Sequence, residues 1–385
     1  MLTMAVGHSD DVDPMGAVEA AIEECRSSVG PVQPKAGLLF STFDAFDPAI
    51  IASVRGAFPG IDLVGSTSSA EVSSVHGYQE DSISLAVFGS DTVEIGTGLG
   101  PGLGTDVDAA CRAAARQALA GLTGEPRVCI VMHESFVTDP PLVAEGLARA
   151  LPEGVAILGG ASARSDFTTV TPTYQFRNGS VATDGVAIMV FAGPVSYSTA
   201  VGMGFKTIGA KGTVTRSDPG ALQEIDGRPA IEFLNRYVDA TGPAAYSNPL
   251  AVFEEGTDAF YLRAIRPSEP GSGSLATAGS IPVGARVQLT TADPDEVLAG
   301  TKGALERALA DFPSGARPEA ALIFSCAVRK FFLGSRTRQE AELARSVLGD
   351  VPTVGTYCYG EVGPVPGAPT SRFLNETFVT LLLGT

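Results

Sequence analysis

A cysteine and a glutamate stand close together in the stretch "TVGTYCYGEVGP", residues 353–364. Cys358 and Glu361 follow a short apolar run, so they could act as a nucleophile and its carboxylate helper. A nucleophilic cysteine needs a base within hydrogen-bonding reach, and none of the three histidines lies near this stretch. Buried, unreactive cysteines are common in proteins. The pattern therefore favours the wall of a binding pocket, with a cysteine- or carboxylate-dependent enzyme as the alternative.

Further polar groups lie around this stretch in the last part of the chain. Arginine holds a carboxylate with a planar fork and Glu361 could hold an ammonium group, so the set suits an amino acid or similar zwitterion. The alternative is that Arg329 and Glu361 pair with each other and brace two loops. The candidate ligand-binding residues are Ser325, Cys326, Arg329, Lys330, Tyr357, Cys358, Tyr359, Gly360, Glu361, Asn375 and Glu376, with Ser66 and Glu71 from a similar segment upstream.

These residues belong to the last of three similar segments of the chain. Each segment has a buried-type strand, a helix and a second strand that ends in glycine, and another apolar strand closes it. An acidic helix start precedes each segment, at Asp13, Asp106 and Asp293, where aspartate can cap free backbone N–H groups. The first strands are predicted at 36–42, 126–134 and 320–326, and the closing strands at 82–89, 185–193 and 377–384.

The composition of these strands indicates how they pair. Near-continuous Val, Ile, Leu and Phe are typical of strands buried on both faces, and strand–helix–strand order favours parallel pairing. The closing strands, which follow turn-rich segments, are expected to be antiparallel. We therefore predict an α/β fold of layered mixed sheets built from three internal strand–helix–strand repeats. Because ligands gather beyond the carboxyl ends of parallel strands, the candidate residues should meet in one cavity.

Counting from the glycines that end the second strands relates the repeats to one another. Six residues separate Gly65 from Glu71, and six separate Gly355 from Glu361, so two carboxylates occupy matching positions. The same step in the second repeat leads to Ser165.

Two other regions differ from the repeats. The run "GTGLGPGLG" (96–104) lacks the glycine spacing of a dinucleotide site, and we interpret it as a flexible connection. Many short β-like runs fill residues 195–290. The predicted division is a domain at 1–210 with two repeats and a domain at 211–385 with a β-rich insert and the third repeat.

The bulk composition excludes several classes of partner. The 385 residues carry a net charge of −17, which argues against nucleic acid and anionic membranes as partners. The first residues do not have the pattern of a signal peptide, and no stretch is long enough to span a membrane. Five cysteines without a C-x-x-C pair fit a reducing cytoplasm. No metal-ligand spacing or phosphate loop is present, so no metal or cofactor is expected.

Several motifs resemble those of FIST proteins. The C-terminal domain of that family is similar to "RPAIEFLNRYV", "ALIFSCAVRKFFLG", "VGTYCYGEVGP" and "FLNETFVTLLLG", and the N-terminal domain to "LVGSTSSAEV" and "GVAIMVF". The family pattern usually has glycine where this chain has Val328. The resemblance spans nearly the whole chain. It implies a sensory, ligand-binding module of signal transduction, with amino acids among its proposed ligands. No output domain is readable here, so we expect a stand-alone module that signals through a separate output protein.

Overall fold

The computed structural model describes residues 1–134, 136–166, 173–239, 247–266, 271, 273–368 and 370–385. Within these residues the strands form three six-stranded mixed sheets and one eight-stranded sheet. This arrangement confirms the predicted α/β fold of layered mixed sheets. No helix in the described ranges has both the length and the apolar character that are needed to cross a membrane.

The first repeat begins with an edge strand that the sequence patterns missed. Its elements are β1 (Leu2–Ser9), α1 (Pro14–Ser28), β2 (Ala36–Thr42), α2 (Pro48–Ala57), β3 (Asp62–Ser68), β4 (Ala70–Ser73), β5 (Gly77–Gln79) and β6 (Ile83–Ser90), with a 3-10 turn at Phe43–Ala45. Strands β2 and β3 are parallel, and β6 runs antiparallel between β1 and β2.

The second repeat has the same order of elements. It contains β7 (Glu94–Pro101), α3 (Val107–Leu119), β8 (Pro126–His133), α4 (Pro141–Ala150), β9 (Ala156–Ala161), β10 (Gln175–Arg177), β11 (Ser180–Ala182) and β12 (Gly185–Ala192). Again the first two long strands, β8 and β9, are parallel, and the closing strand β12 is antiparallel between β7 and β8.

The β-rich insert interrupts the third repeat after its edge strand, β13 (Ser196–Gly202). It contains β14 (Lys206–Asp218), β15 (Ala221–Ile225), β16 (Arg228–Pro229), α5 (Ala230–Leu234), β17 (Leu250–Phe253), β18 (Phe260–Arg263), β19 (Ile265–Arg266), β20 (Leu275–Thr277) and β21 (Arg286–Thr291). These strands make the eight-stranded sheet, and all their pairings are antiparallel. The predicted division at 210 and 211 falls inside β14.

The third repeat continues after the insert. Its elements are α6 (Pro294–Ala310), β22 (Ala320–Cys326), α7 (Ala327–Leu333), a 3-10 turn at Gly334–Arg336, α8 (Arg338–Leu348), β23 (Thr353–Cys358), β24 (Glu361–Gly363), β25 (Arg372–Leu374) and β26 (Phe378–Gly384). Strands β22 and β23 are parallel, and β26 is antiparallel between β13 and β22. The predicted parallel and antiparallel pairings are therefore confirmed in all three repeats.

Each sheet is completed by two short strands from another repeat. The first sheet receives β10 and β11, the second receives β24 and β25, and the third receives β4 and β5. The borrowed strand always lies beside the second parallel strand of its host, that is β3, β9 or β23. The repeats are thus joined in a closed cycle, which brings residues of different repeats to each strand end.

The core follows from the alternation of side chains along the strands. Leu38 and Phe40 of β2 point into a central core that the inner faces of the three sheets share, whereas Leu39 packs under α1 and α2. Phe40 meets Phe324 of the third sheet edge-on, with 6.5 Å between the ring centroids. The helices of the second and third repeats cover the outer faces of their own sheets in the same way.

Strand β7 corrects the interpretation of residues 96–104 as a flexible connection. Its glycines fall at every second position, so they share one face of the strand, and that face lies against α3. A Cβ atom on Gly98 would lie only 2.0 Å from the carbonyl oxygen of Ala114 in α3. The glycines are present because the helix backbone approaches the strand too closely for any side chain.

The predicted helix starts are confirmed. Asp13, Asp106 and Asp293 each accept a hydrogen bond from the backbone N–H three residues later, at 2.9–3.0 Å. These caps fix where the first helix of each repeat begins and hence where it packs on its edge strand.

Candidate functional site

Arg329 lies in the protein interior, which corrects the expectation of a charge in an open cleft. Only 1% of its side chain is exposed. Its Nε and Nη2 donate to Glu340 at 3.0 and 2.6 Å, and the guanidinium also donates to Thr301 and to three backbone carbonyl oxygens. With these partners in place, the guanidinium has no edge left for a ligand carboxylate.

Glu340 is the partner that sequence reasoning missed. It accepts hydrogen bonds from Ser325, Tyr357 and Thr301 at 2.8–3.0 Å, in addition to those from Arg329. Its position on the buried stripe of α8, with Ala341, Ala344 and Leu348, was the available signal. A carboxylate on the apolar face of a helix implies a buried partner.

Arg329 and Glu361 do not pair with each other. Arg329 donates to the carbonyl oxygen of Glu376 at 3.2 Å, and the next backbone N–H, of Thr377, donates to Glu361 at 3.1 Å. The two side chains therefore bind opposite sides of one peptide group. Glu361 is fully buried, and burial raises the pKa of its carboxyl to about 8.

The two cysteines of the candidate set are also buried. Burial, and next the neighbouring Glu361, raise the pKa of Cys326 and Cys358 well above the usual range for a thiol. The Cys358 thiol lies 3.5 Å from the carbonyl oxygen of Ser325 and 3.4 Å from Glu361. Because the thiolate is the nucleophilic form of cysteine, this environment gives no support to the cysteine-dependent enzyme.

The match between repeats is correct for Glu71 and Glu361 but wrong for Ser165. Glu71, Glu361 and Gln175 are each the first or second residue of a borrowed strand, and each lies opposite the residue that follows the strand glycine in β23, β9 or β3. Gln175 is therefore the true counterpart, and a longer connection in the second repeat shifts it along the sequence. Ser165 instead donates a hydrogen bond to Asp44, at 3.1 Å.

The remaining predicted residues are divided between several interfaces. Lys330 donates to the carbonyl oxygen of Ser69 at 3.1 Å, and the Tyr359 hydroxyl donates to the carbonyl oxygen of Arg164 at 3.2 Å. Gly360 has a φ of +114°, which favours glycine. Ser66 lies in β3 opposite Gln175. The side chains of Lys330 and Tyr359 thus hold neighbouring repeats together, and these four residues contact different partners.

Glu376 is buried in an unusual setting. Its backbone has a φ of +56°, and neither of its carboxylate oxygens has a hydrogen-bond partner among the described residues. Burial raises the pKa of this carboxyl well above its usual range, and Arg329 opposes that rise. The neutral acid is therefore the form that this position favours.

Asn375 connects the predicted residues to a different part of the molecule. Its Oδ1 accepts a hydrogen bond from Arg263 at 3.2 Å and from the backbone N–H of Ala264 at 3.1 Å. Both partners belong to the insert. This contact docks the insert against the loop between β25 and β26.

A cleft of about 580 Å³ opens beside this contact. One wall comes from the first turns of α4, at Pro141 and Glu145, and another from the strands and turns of the insert, with β25 below. Because α4 follows β8, the cleft lies toward the carboxyl ends of the parallel strands of the second repeat. Its lining includes the aromatic rings of Phe253, Tyr261 and Phe373 and the charged residues Glu145, Glu254, Glu255, Arg263, Arg286 and Arg372.

Most of this charge is already paired. Arg372 holds Glu254 with two hydrogen bonds of 3.0 and 3.1 Å, and Glu145 lies 3.8 Å from Arg149 on the same helix. Arg263, by contrast, is 2% exposed and has no carboxylate within 4 Å among the described residues. Sequence reasoning missed it because a single arginine in a short β-like run carries no local signal.

Two domain models of one protein family match most of the chain. The FIST N domain model matches residues 35–228, and the FIST C domain model matches residues 230–364. An uncharacterized protein of Mycobacterium tuberculosis (strain H37Rv) is 28% identical over 255 residues, which is 62% of this chain and 63% of that protein. One from Mycobacterium bovis is 28% identical over 253 residues, with the same coverage. The chain thus matches less than two thirds of the length of these relatives.

Solved structures give only distant likenesses. Cyanuric acid hydrolase from A. caulinodans aligns over 99% of both chains at 13% identity, with a TM-score of 0.38. A second cyanuric acid hydrolase structure covers 100% of this chain and 99% of its own, at 10% identity and a TM-score of 0.40. At these scores neither likeness assigns a function to this chain.

Proposed function

Because this chain belongs to the FIST family, whose domains are sensory domains implicated in signal transduction, we propose that it is a sensory module for a small metabolite, an amino acid or similar zwitterion. The ligand binds in the cleft between α4 and the insert. The observation that carries this placement is the cleft itself, whose volume of about 580 Å³ falls within the roughly 300–1,000 Å³ of typical small-molecule sites.

The lining of the cleft supports a ligand with both apolar and charged parts. Three aromatic rings offer apolar surface, and acidic and basic side chains lie among them. Glu255 and Arg286 are exposed, so a ligand would meet both signs of charge at the mouth. A zwitterion with an apolar side chain can satisfy all three kinds of surface at once.

The position of the cleft also supports a sensory role. A ligand there would touch the second repeat and the insert together, so binding would favour one relative position of the two. A separate output protein that recognises this position would carry the signal onward. We place the module in the cytoplasm because the five cysteines are free and buried, which suits a reducing compartment.

The test is a thermal-shift screen of the purified protein against the amino acids and common small metabolites. A variant that fills the cleft, Ser280→Trp, should remove the shift caused by the best metabolite. Ser346→Trp, the same change in the open groove between α6 and α8, should leave that shift unchanged. An equal metabolite shift in both variants would exclude this cleft as the binding site.

A further inference from the structure

We propose that the cleft binds the carboxylate of its ligand on the guanidinium of Arg263, so that an acidic group is the obligatory part of the ligand. This inference rests on the proposed function for the location of the ligand. It goes further by naming the anchor residue and the group that it holds.

The Nε of the Arg263 guanidinium is available to a ligand. Nη1 donates to the carbonyl oxygen of Ala278 and to Oδ1 of Asn375, both at 3.2 Å. Nε is buried and has no hydrogen-bond partner among the described residues. The Nε–Nη2 edge is the one that a carboxylate binds with two parallel hydrogen bonds.

Arg263 also lacks a close counter-ion among the described residues. The guanidinium lies 5.1 Å from the ring centroid of Tyr261 and 5.5 Å from that of Phe373, so aromatic rings stabilise its charge only in part. Tyr261, which also makes a side-chain hydrogen bond to Arg263, and more weakly Asp139 oppose the effect of burial on the pKa of Arg263. The Asp139 carboxylate also accepts a hydrogen bond from the backbone N–H of Ser280 at 2.9 Å. A buried charge without a close counter-ion is costly, and a ligand carboxylate would remove that cost.

Arg263 keeps its positive charge in this setting. Burial lowers the pKa of Arg263, yet arginine remains protonated in proteins across the physiological range. In a protein with a net charge of −17, most of the surface repels anions. A positive group at the wall of a cleft is therefore a specific site and not part of a basic face.

A matched set of three probes tests the acidic group. L-Phenylalanine carries both charges, 3-phenylpropionate only the carboxylate and 2-phenylethylamine only the ammonium, and the phenyl ring suits the aromatic lining. In calorimetric titrations up to about 10 mM, a range that reaches weak millimolar affinities, the first two should bind and the amine should not. Acetate and inorganic phosphate, added as competitors, distinguish a carboxylate site from a general oxyanion site.

Two variants test the anchor. Arg263→Lys keeps the charge but loses the planar fork, and should weaken 3-phenylpropionate by about tenfold or more. Arg177→Lys alters an arginine that is already paired, with Asp62, and should leave the affinity within about twofold of wild type. Asn375→Asp supplies an internal carboxylate to Arg263, so it should raise the melting temperature without ligand and abolish binding of 3-phenylpropionate.

The outcomes separate this inference from the proposed function. Binding of the amine alone, or unchanged binding of 3-phenylpropionate by Arg263→Lys, overturns the role of Arg263 but does not contradict a ligand in the cleft. The role of Arg263 is also overturned if no anionic probe binds but a neutral or cationic metabolite does, and Ser280→Trp abolishes binding of that metabolite. A lower melting temperature of unliganded Asn375→Asp would also contradict an unpaired guanidinium.

Discussion

Removal of the Arg329 guanidinium should destabilise the fold and should not act first on ligand binding. Arg329→Met keeps a long apolar stem but deletes six hydrogen bonds, three of which end on backbone carbonyl oxygens. It also leaves the Glu340 carboxylate buried without its cation. Breaking a buried pair in this way costs about 3–5 kcal/mol of unfolding free energy, a large part of the roughly 5–15 kcal/mol of a typical protein.

Urea unfolding, followed by circular dichroism, measures this loss. The matched control is Arg336→Met, which breaks a surface pair with Asp295 in which the arginine is 37% exposed and the aspartate 83% exposed. Such a pair contributes only about 0–1 kcal/mol. In the double variant Arg329→Met/Glu340→Gln neither member of this pair is charged, so it should be more stable than Arg329→Met alone by about 1 kcal/mol or more.

Two results would refute this reasoning. One is an Arg329→Met protein within about 1 kcal/mol of wild type, which would show that the pair does not brace the third repeat. The other is a double variant that loses the sum of both single losses, since independent effects would add in that way.

Three further predictions concern the buried groups and the close packing of the repeats. Burial raises the pKa of Glu361 from 4.5 to about 8, so its contribution to stability is complete below pH 4.5 and is lost as the pH rises toward 8. Glu361→Gln should therefore flatten the fall in melting temperature between pH 5 and pH 8. An unchanged slope would contradict the assignment. Cys358→Ser should cost about 1 kcal/mol and leave metabolite binding intact, because serine preserves a small donor in the same place; loss of binding in calorimetry would return Cys358 to the site. Gly98→Ala should destabilise the protein by about 1–3 kcal/mol, since its Cβ would meet the Ala114 carbonyl oxygen. Gly56→Ala in α2 faces open space and should be neutral or stabilising. Equal unfolding midpoints for the two variants would refute the packing argument.

Local patterns were sufficient to predict the repeats. Runs of Val, Ile, Leu and Phe predicted the parallel strands, and the aspartates at 13, 106 and 293 predicted the helix starts. These features depend on residues within a few positions of one another. For this reason a single sequence reveals them without knowledge of the rest of the fold.

Features that depend on distant partners were not predictable in this way. The exchange of hairpins pairs Gln175 with Ser66, more than a hundred residues away, and no local pattern specifies that pairing. The count of six residues that led to Ser165 fails because the second repeat has a longer connection before β10. The glycines at 96–100 suggested a loop, because the close approach of α3 that requires them is not visible in the sequence.

The candidate site shows the same limit. The sequence identified Arg329 as a charge that needs a partner, but the partner, Glu340, is set by how α8 packs over β22 and β23. Arg263 becomes notable only because the insert docks on Asn375 and buries it without a counter-ion. Whether a charged side chain is a brace or a site depends on its neighbours in space, which composition does not give.

Hydrogen–deuterium exchange with and without the best metabolite tests the placement of the ligand most directly. We predict slower exchange in the segments that line the cleft, residues 141–145, 252–263 and 280–286, and no change at the strand ends between residues 325 and 361 of the third repeat. Protection confined to those strand ends, with the lining of the cleft unchanged, would contradict it.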